Sequence, residues 1–264
     1  MPTPTPGPRS TTALVVAQIS DTHFGHDRGE AATRTRRVLD AILAMDPRPD
    51  VLVHTGDVTD HGFAEEYAEA LQVLSVWEGP LAICPGNHDV RAPYVEAFLG
   101  GAPGASRGWA NRSHSVAGAR FLMLDSLVDE VDGQRQDHGE LSAEQLSWLD
   151  AELSWDTRPT FVCLHHPPAE IGVGLMDPIM LTDPDALAEV LNRHSHVVAT
   201  LVGHAHTMGA TTFAGRPLLV GGGVVSTVPL DQEDHPVVWY GAAPSFAVHL
   251  LHDDGRLTTH WRAV

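Results

Sequence analysis

Apolar positions fall along the chain in short runs that alternate with longer, helix-spaced patterns. The runs 14–19, 51–54, 81–84, 120–124, 160–164 and 197–202 have the length of buried strands. Between them, residues 33–45 place Val38, Leu39, Ile42 and Leu43 on one helical face, and residues 64–77 keep Tyr67, Leu71 and Leu74 in register. Residues 142–153 open with Ser142 and Gln145 spaced as a capping box. Asp183 precedes Pro184 as a cap residue precedes proline at the first helical position, for a helix that runs to Asn192. The stretch 211–264 reads as short strands joined by Gly-rich turns, with a more antiparallel character. The middle of the chain is therefore βαβα, which predicts parallel strands in an α/β fold.

Composition bounds the picture without changing it. A chain of 264 residues with 43% hydrophobic content is long enough for one large α/β domain. We assign that domain to residues 11–264. The Pro/Thr-rich residues 1–10 are read as a disordered arm, because no apolar core follows a basic start as in a signal peptide. No apolar run is long enough to span a bilayer, so no membrane association is expected. Two cysteines, Cys84 and Cys163, both in apolar segments, suggest no disulfide framework and favour the cytoplasm. The formal charge of −18 argues against a nucleic-acid polymer as partner. A small anion stays possible if a local cation overrides that field.

The candidate chemistry sits just past five predicted strand ends. The motifs are Asp21-Thr22-His23, Gly56-Asp57, Gly86-Asn87-His88-Asp89, His165-His166-Pro167 and Gly203-His204-Ala205-His206. In open α/β sheets the carboxyl edge of the strands is where sites are built. Mixed carboxylate, imidazole and amide ligands suit Mn²⁺, Fe²⁺/Fe³⁺, Zn²⁺ or Co²⁺, and the lack of a thiolate set argues against a structural zinc site.

The order of these five motifs, over residues 21–206, resembles the calcineurin-like metallophosphoesterases. The resemblance implies a four-layer αββα sandwich of two mixed sheets flanked by helices. It implies two divalent or mixed-valence metal ions, one held by Asp21, His23 and His206, the other by Asn87, His165 and His204, with Asp57 bridging them. Two divalent ions set against Asp21, Asp57 and a hydroxide leave a core of about +1, enough to attract a phosphodiester despite the acidic surface. The implied reaction is in-line attack of a metal-bridging hydroxide on phosphorus. His88 is the candidate to contact phosphate or protonate the leaving oxygen, and with Asn87 it would bind substrate. His26 and Arg28 are candidate substrate contacts in the loop after the first motif. His166 is read as a packing residue, and Asp60 and His61 as turn formers or partners of a ligand imidazole.

Departures narrow the branch. The arginine of the protein Ser/Thr phosphatase motif is absent from 56–62, and Asp60 stands where purple acid phosphatases carry a tyrosine ligand. The closer resemblance is to bacterial class III cyclic-nucleotide phosphodiesterases and related glycerophosphodiesterases. It implies a small diester substrate, cyclic AMP first, with a glycerophosphodiesterase or a broad-specificity phosphoesterase as the alternative, and a homodimer as one assembly. A non-catalytic scaffold of the same fold is a distant alternative, disfavoured because all seven ligand positions are filled. The loop 125–140 and the stretch 221–244 are expected to choose the substrate, since long segments without a period are commonly functional.

Overall fold

Two β-sheets pack face to face between two helical layers in the computed structural model, which describes residues 11–26, 30–100 and 108–264. The arm 1–10 and Arg28 lie outside the described residues. The first sheet has the order β11-β10-β1-β2-β3, built from β1 (Thr12–Ile19), β2 (Val51–Thr55), β3 (Leu81–Cys84), β10 (Ser245–His252) and β11 (Leu257–Ala263). The second has the order β4-β5-β6-β7-β9-β8, built from β4 (Arg112–Val116), β5 (Ala119–Met123), β6 (Thr160–Cys163), β7 (Val197–Val202), β8 (Gly209–Phe213) and β9 (Arg216–Val220). Both sheets are mixed. β1, β2 and β3 run parallel, as do β5, β6, β7 and β9, while β4, β8, β10 and β11 pair antiparallel with their neighbours.

The inner layer explains why the strands are apolar on both faces. Val16, Val51, Val53, Ala82 and Cys84 of the first sheet meet Phe121, Met123, Phe161, Cys163 and Leu201 of the second. Phe121 and Phe161 stack there at 5.1 Å and 7°, an arrangement that adds roughly 0.5–1.5 kcal/mol to the burial itself. The outer faces are covered by helices. α1 (Ala31–Leu43) puts Val38, Leu39 and Ile42 against Ile19 and Leu52. α2 (Ala64–Leu74) and α3 (Arg91–Leu99) cover the same side through Tyr67 and Tyr94. α4 (Ala143–Trp155) and α5 (Pro184–Asn192) cover the second sheet through Leu149, Leu153, Leu187 and Leu191. The result is the αββα sandwich of two mixed sheets.

Three local features differ from the sequence reading. α3 and β4 are additional elements. α2 ends at Leu74 rather than Trp77, whose indole instead donates to the Pro80 carbonyl at 2.9 Å. Asp183 does precede α5, but with φ 49° and no side-chain cap, so Pro184 rather than a capping hydrogen bond sets that start. The Ser142 capping box is present in full: Ser142 Oγ accepts from Gln145 N, and Gln145 Oε1 accepts from Ser142 N. β10 and β11 return to the edge of the first sheet, so the chain crosses from one sheet to the other and back. No helix of the described residues is long and apolar enough to cross a membrane.

Candidate metal centre

The five parallel strands β1, β2, β3, β6 and β7 all end at one rim, and the first residues past each end turn inward. Asp21, His23, Asp57, His204 and His206 do so with φ between 44° and 67°. Left-handed backbone in non-glycine residues costs energy and persists only where the surroundings enforce it, typically at functional sites. Close packing enforces it here. A Cβ on Gly203 would stand 2.0 Å from Ser20 Oγ, and one on Gly86 would stand 2.2 Å from Asp57 Oδ1.

These turns gather the seven predicted ligand residues into two groups. In one, Asn87 Oδ1 lies 3.1 Å from His165 Nε2 and 3.0 Å from His204 Nδ1, and those two nitrogens are 3.3 Å apart. In the other, His206 Nε2 lies 3.1 Å from His23 Nε2 and 3.4 Å from Asp21 Oδ1. Asp57 Oδ2 stands between the groups, 3.3 Å from His165 Nε2 and 3.5 Å from His23 Nε2. Metal bonds of about 2.1 Å place neighbouring ligand atoms about 3.0–3.4 Å apart in tetrahedral or octahedral geometry. Both groups match that spacing.

The hydrogen bonds behind the ligand atoms fix which lone pairs point inward. His23 Nδ1 donates to Asp60 Oδ1 at 2.9 Å, and His165 Nδ1 donates to the Thr55 carbonyl at 2.7 Å. His206 Nδ1 is 2.8 Å from Ser226 Oγ. Asn87 Nδ2 donates to Asp137 Oδ1 at 3.3 Å, so its carbonyl oxygen faces the imidazoles. Asp21 Oδ2 is buried without a hydrogen-bond partner. Lone pairs and an orphaned carboxylate oxygen that converge in a buried cluster favour positive charge between them. The donor set fits two cations.

The electrostatics agree. Burial pushes the Asp21 carboxyl up to about 6, with Asp57 adding to the rise and His165 opposing it. Burial also works against charge on Asp57, but His165, His88 and His23 outweigh it and hold that carboxyl well below its usual range. Burial would lower His165, yet Asp57 and Asp21 raise it to about 9. A proton is thus drawn to the place where a metal ion would sit.

The remaining predicted residues are placed as follows. His88 sits beside the centre. Its backbone N–H donates to Asp57 Oδ1 at 2.9 Å, and its Nδ1 lies 3.0 Å from the Asp60 carbonyl oxygen. His26 stands at the mouth, stacked on Tyr240 at 4.8 Å with its Nε2 3.1 Å from the phenol oxygen. His166 is buried with its Nδ1 2.8 Å from Ser126 Oγ, and it has a nitrogen within 4.8 Å of ligand atoms of both His165 and His204. Asp60 is a partner of three imidazoles, His23, His88 and His61, and His61 pairs more closely with Glu66. A cavity of about 420 Å³ opens over the centre. Both segments expected to choose substrate line it, through Arg135 and Asp137 and through Val225, Ser226, Val228, Val238 and Tyr240. Individual residues in those segments carried no motif, so Arg135, Asp137, Ser226 and Tyr240 were invisible at residue level.

Comparison with known proteins agrees with this geometry. The calcineurin-like phosphoesterase family model matches residues 14–208, and the chain belongs to that family of metallophosphoesterases. Family members bind two metal ions. A probable cyclic nucleotide phosphodiesterase of Rhodococcus erythropolis is 36% identical over 236 residues, covering 86% of this chain and 75% of the relative. The glycerophosphodiester phosphodiesterase GpdQ of Enterobacter lignolyticus is 29% identical over 245 residues, covering 89% of this chain and 86% of the relative. A dimetal phosphatase from Danio rerio shares the fold with a TM-score of 0.72 at 18% identity, covering 96% of this chain and 97% of that one.

Proposed function

We propose that the protein is a two-metal hydrolase of small phosphodiesters, with 3′,5′-cyclic nucleotides as the first candidate substrates and cyclic AMP converted to 5′-AMP. The observation that carries this reading is the pair of ligand groups sharing Asp57 Oδ2 at the floor of the cavity. On this reading Asp21, His23 and His206 hold one ion, Asn87, His165 and His204 hold the other, and Asp57 bridges. The mixed oxygen and nitrogen set suits Mn²⁺ or iron, with Zn²⁺ or Co²⁺ as alternatives. Bound there, the ions supply charge neutralisation and a water of lowered pKa.

The chain's own residues supply the rest. His88 faces the cavity beside Asn87 and delivers a proton to the leaving oxygen or a hydrogen bond to phosphate. Burial lowers its proton affinity, but Asp57 and Asp60 reverse the effect and leave its pKa raised. That is the direction an acid needs. Asp60 fixes the His23 ring through Nδ1, which keeps Nε2 aimed inward. The cavity lining also includes Leu175, Met176, Ile179 and Val238, which suit a substituent with an apolar face.

Glycerophosphodiesters form the second reading, favoured by the likeness to GpdQ. The acidic surface supports a small substrate over a nucleic-acid polymer. The free, buried thiols of Cys84 and Cys163 support a cytoplasmic setting. The crossing of the chain between sheets supports one domain over residues 11–264. The test is a turnover panel on Mn²⁺-loaded protein with cyclic AMP, cyclic GMP, a glycerophosphodiester, bis-p-nitrophenyl phosphate and p-nitrophenyl phosphate. Diesters should win in kcat/KM. A tenfold or greater preference for the monoester would make the protein a phosphomonoesterase.

A further inference from the structure

All 16 basic side chains of the protein are arginines, against 34 acidic ones. Most described arginines near the site are consumed by structure. Arg34 donates to the carbonyls of Val224 and Ala242, and Arg91 to Asp125 and the Leu127 carbonyl. Arg135 is different. It is the only Arg or Lys among the described residues lining the 420 Å³ cavity, and it also lines a neighbouring cavity of about 590 Å³. The two cavities share Asp60, Asn87, His88 and Arg135, so this guanidinium stands on the rim between them.

Its position is fixed from behind. Arg135 Nε donates to Asp137 Oδ1 at 2.8 Å, and the same oxygen accepts from Asn87 Nδ2 at 3.3 Å. Arg135 Nη1 approaches His88 Nδ1 to 2.9 Å. One carboxylate therefore holds both the amide that turns its oxygen to the metal centre and the cation that stands beside His88. The planar fork has five N–H donors, and Nη2 makes no hydrogen bond among the described residues. A guanidinium keeps its charge at any working pH and matches phosphate oxygens in pairs.

We propose that Arg135 is a phosphate-binding residue of this site: its outer edge takes a non-bridging oxygen of the phosphodiester, with Asp137 as the residue that positions it. The proposal rests on the phosphodiesterase reading above. It adds a fixed protein cation to the metal centre in drawing a small anion to a protein of charge −18.

The test compares wild type, Arg135→Ala, Arg135→Lys and Arg193→Ala as Mn²⁺-loaded proteins. Arg193 is paired with Asp150 at the end of α5, away from the metal rim, and its loss changes the overall charge equally. Three quantities are read: kcat and KM for bis-p-nitrophenyl phosphate, and Kd for inorganic phosphate by calorimetry. Arg135→Ala should keep its metals and raise both KM and the phosphate Kd by roughly 10- to 100-fold, the worth of one or two charge-assisted hydrogen bonds. The change in kcat should be smaller. Arg135→Lys should recover only part of the loss, because a point charge replaces a fork. Unchanged KM and Kd in Arg135→Ala would overturn the proposal. An equal loss in Arg193→Ala would overturn it too, because the effect would then belong to the general field. If wild type turns over no diester yet Arg135→Ala still loses phosphate, the functional reading fails and Arg135 stands as an anion site.

Discussion

The Nε2 atoms of His23 and His206 face each other at 3.1 Å, although each ring has its other nitrogen engaged elsewhere, with Asp60 and Ser226. Nitrogens at that separation must share either a proton or a metal ion. Binding of metal should therefore be felt as folding stability. Chelation should lower Tm, and adding Mn²⁺ back should restore it, with a site filled at a hundred times its Kd adding about 2.7 kcal/mol. Scanning calorimetry on dialysed and reloaded protein measures this. A Tm indifferent to chelator and to added metal would argue against cations at this place.

Asp57 Oδ2 lies within 3.5 Å of an imidazole nitrogen in each ligand group, whereas Asp21 Oδ1 is 3.4 Å from His206 Nε2 and 4.0 Å from His165 Nε2. Asp57→Ala should lose both ions rather than one, and activity should fall by at least about 10³-fold, the scale of losing a charge-stabilising clamp. Metal analysis of the purified variant separates this from a simple rate defect. Two ions per chain with near-normal turnover would remove Asp57 from the bridging role.

The sequence made the candidate centre legible because its candidate ligands sit at strand ends, where a short apolar run followed by Asp, Asn or His is a local signal. β3 was bounded to the residue at Leu81–Cys84 for the same reason. α3 was missed because Pro93 stands inside it and its cap, Val90, makes no side-chain bond. β4 was missed because its Arg-Ser-His-Ser-Val sequence is half exposed at a sheet edge and lacks an apolar face. Asp137, Ser226 and Tyr240 reach the site only through tertiary folding of long segments, which no spacing rule encodes. The longest-range case is His26 on Tyr240, 214 positions apart.

His88 touches the centre through its neighbours rather than as a member of either ligand group. His88→Ala should keep both ions and lose roughly 10²- to 10⁴-fold in rate on a diester with an alkyl leaving group. A nitrophenolate hardly needs protonation, so the loss should shrink on bis-p-nitrophenyl phosphate. Equal losses on both substrates would mean phosphate binding rather than acid catalysis, and no loss would place His88 outside the reaction.

His249 offers a test of the fold that is independent of turnover. It lies buried on β10, with Nε2 3.0 Å from Gln18 Oε1 and Nδ1 2.9 Å from Thr259 Oγ1. Gln18 Nε2 already donates to Thr55 Oγ1 and the Val202 carbonyl, so its oxygen must accept, and His249 must donate from Nε2. The neutral ring is thereby satisfied on both sides, and burial lowers its pKa to about 3 from an ordinary 6.5. The folded value lies below the unfolded one. The unfolded chain therefore binds one more proton between those limits. Stability from this residue is complete above pH 6.5 and is lost as pH falls toward 3, at about 1.4 kcal/mol per pH unit. His249→Gln cannot take up that proton. The gap in unfolding free energy between wild type and His249→Gln should be constant from pH 8 to 7. It should then narrow by about 1.4 kcal/mol for each unit below 6.5. Urea titrations of both proteins at pH 7.5, 6.5 and 5.5 in one metal condition would measure it. A gap that stays constant down to pH 5.5 would mean that His249 is not held neutral.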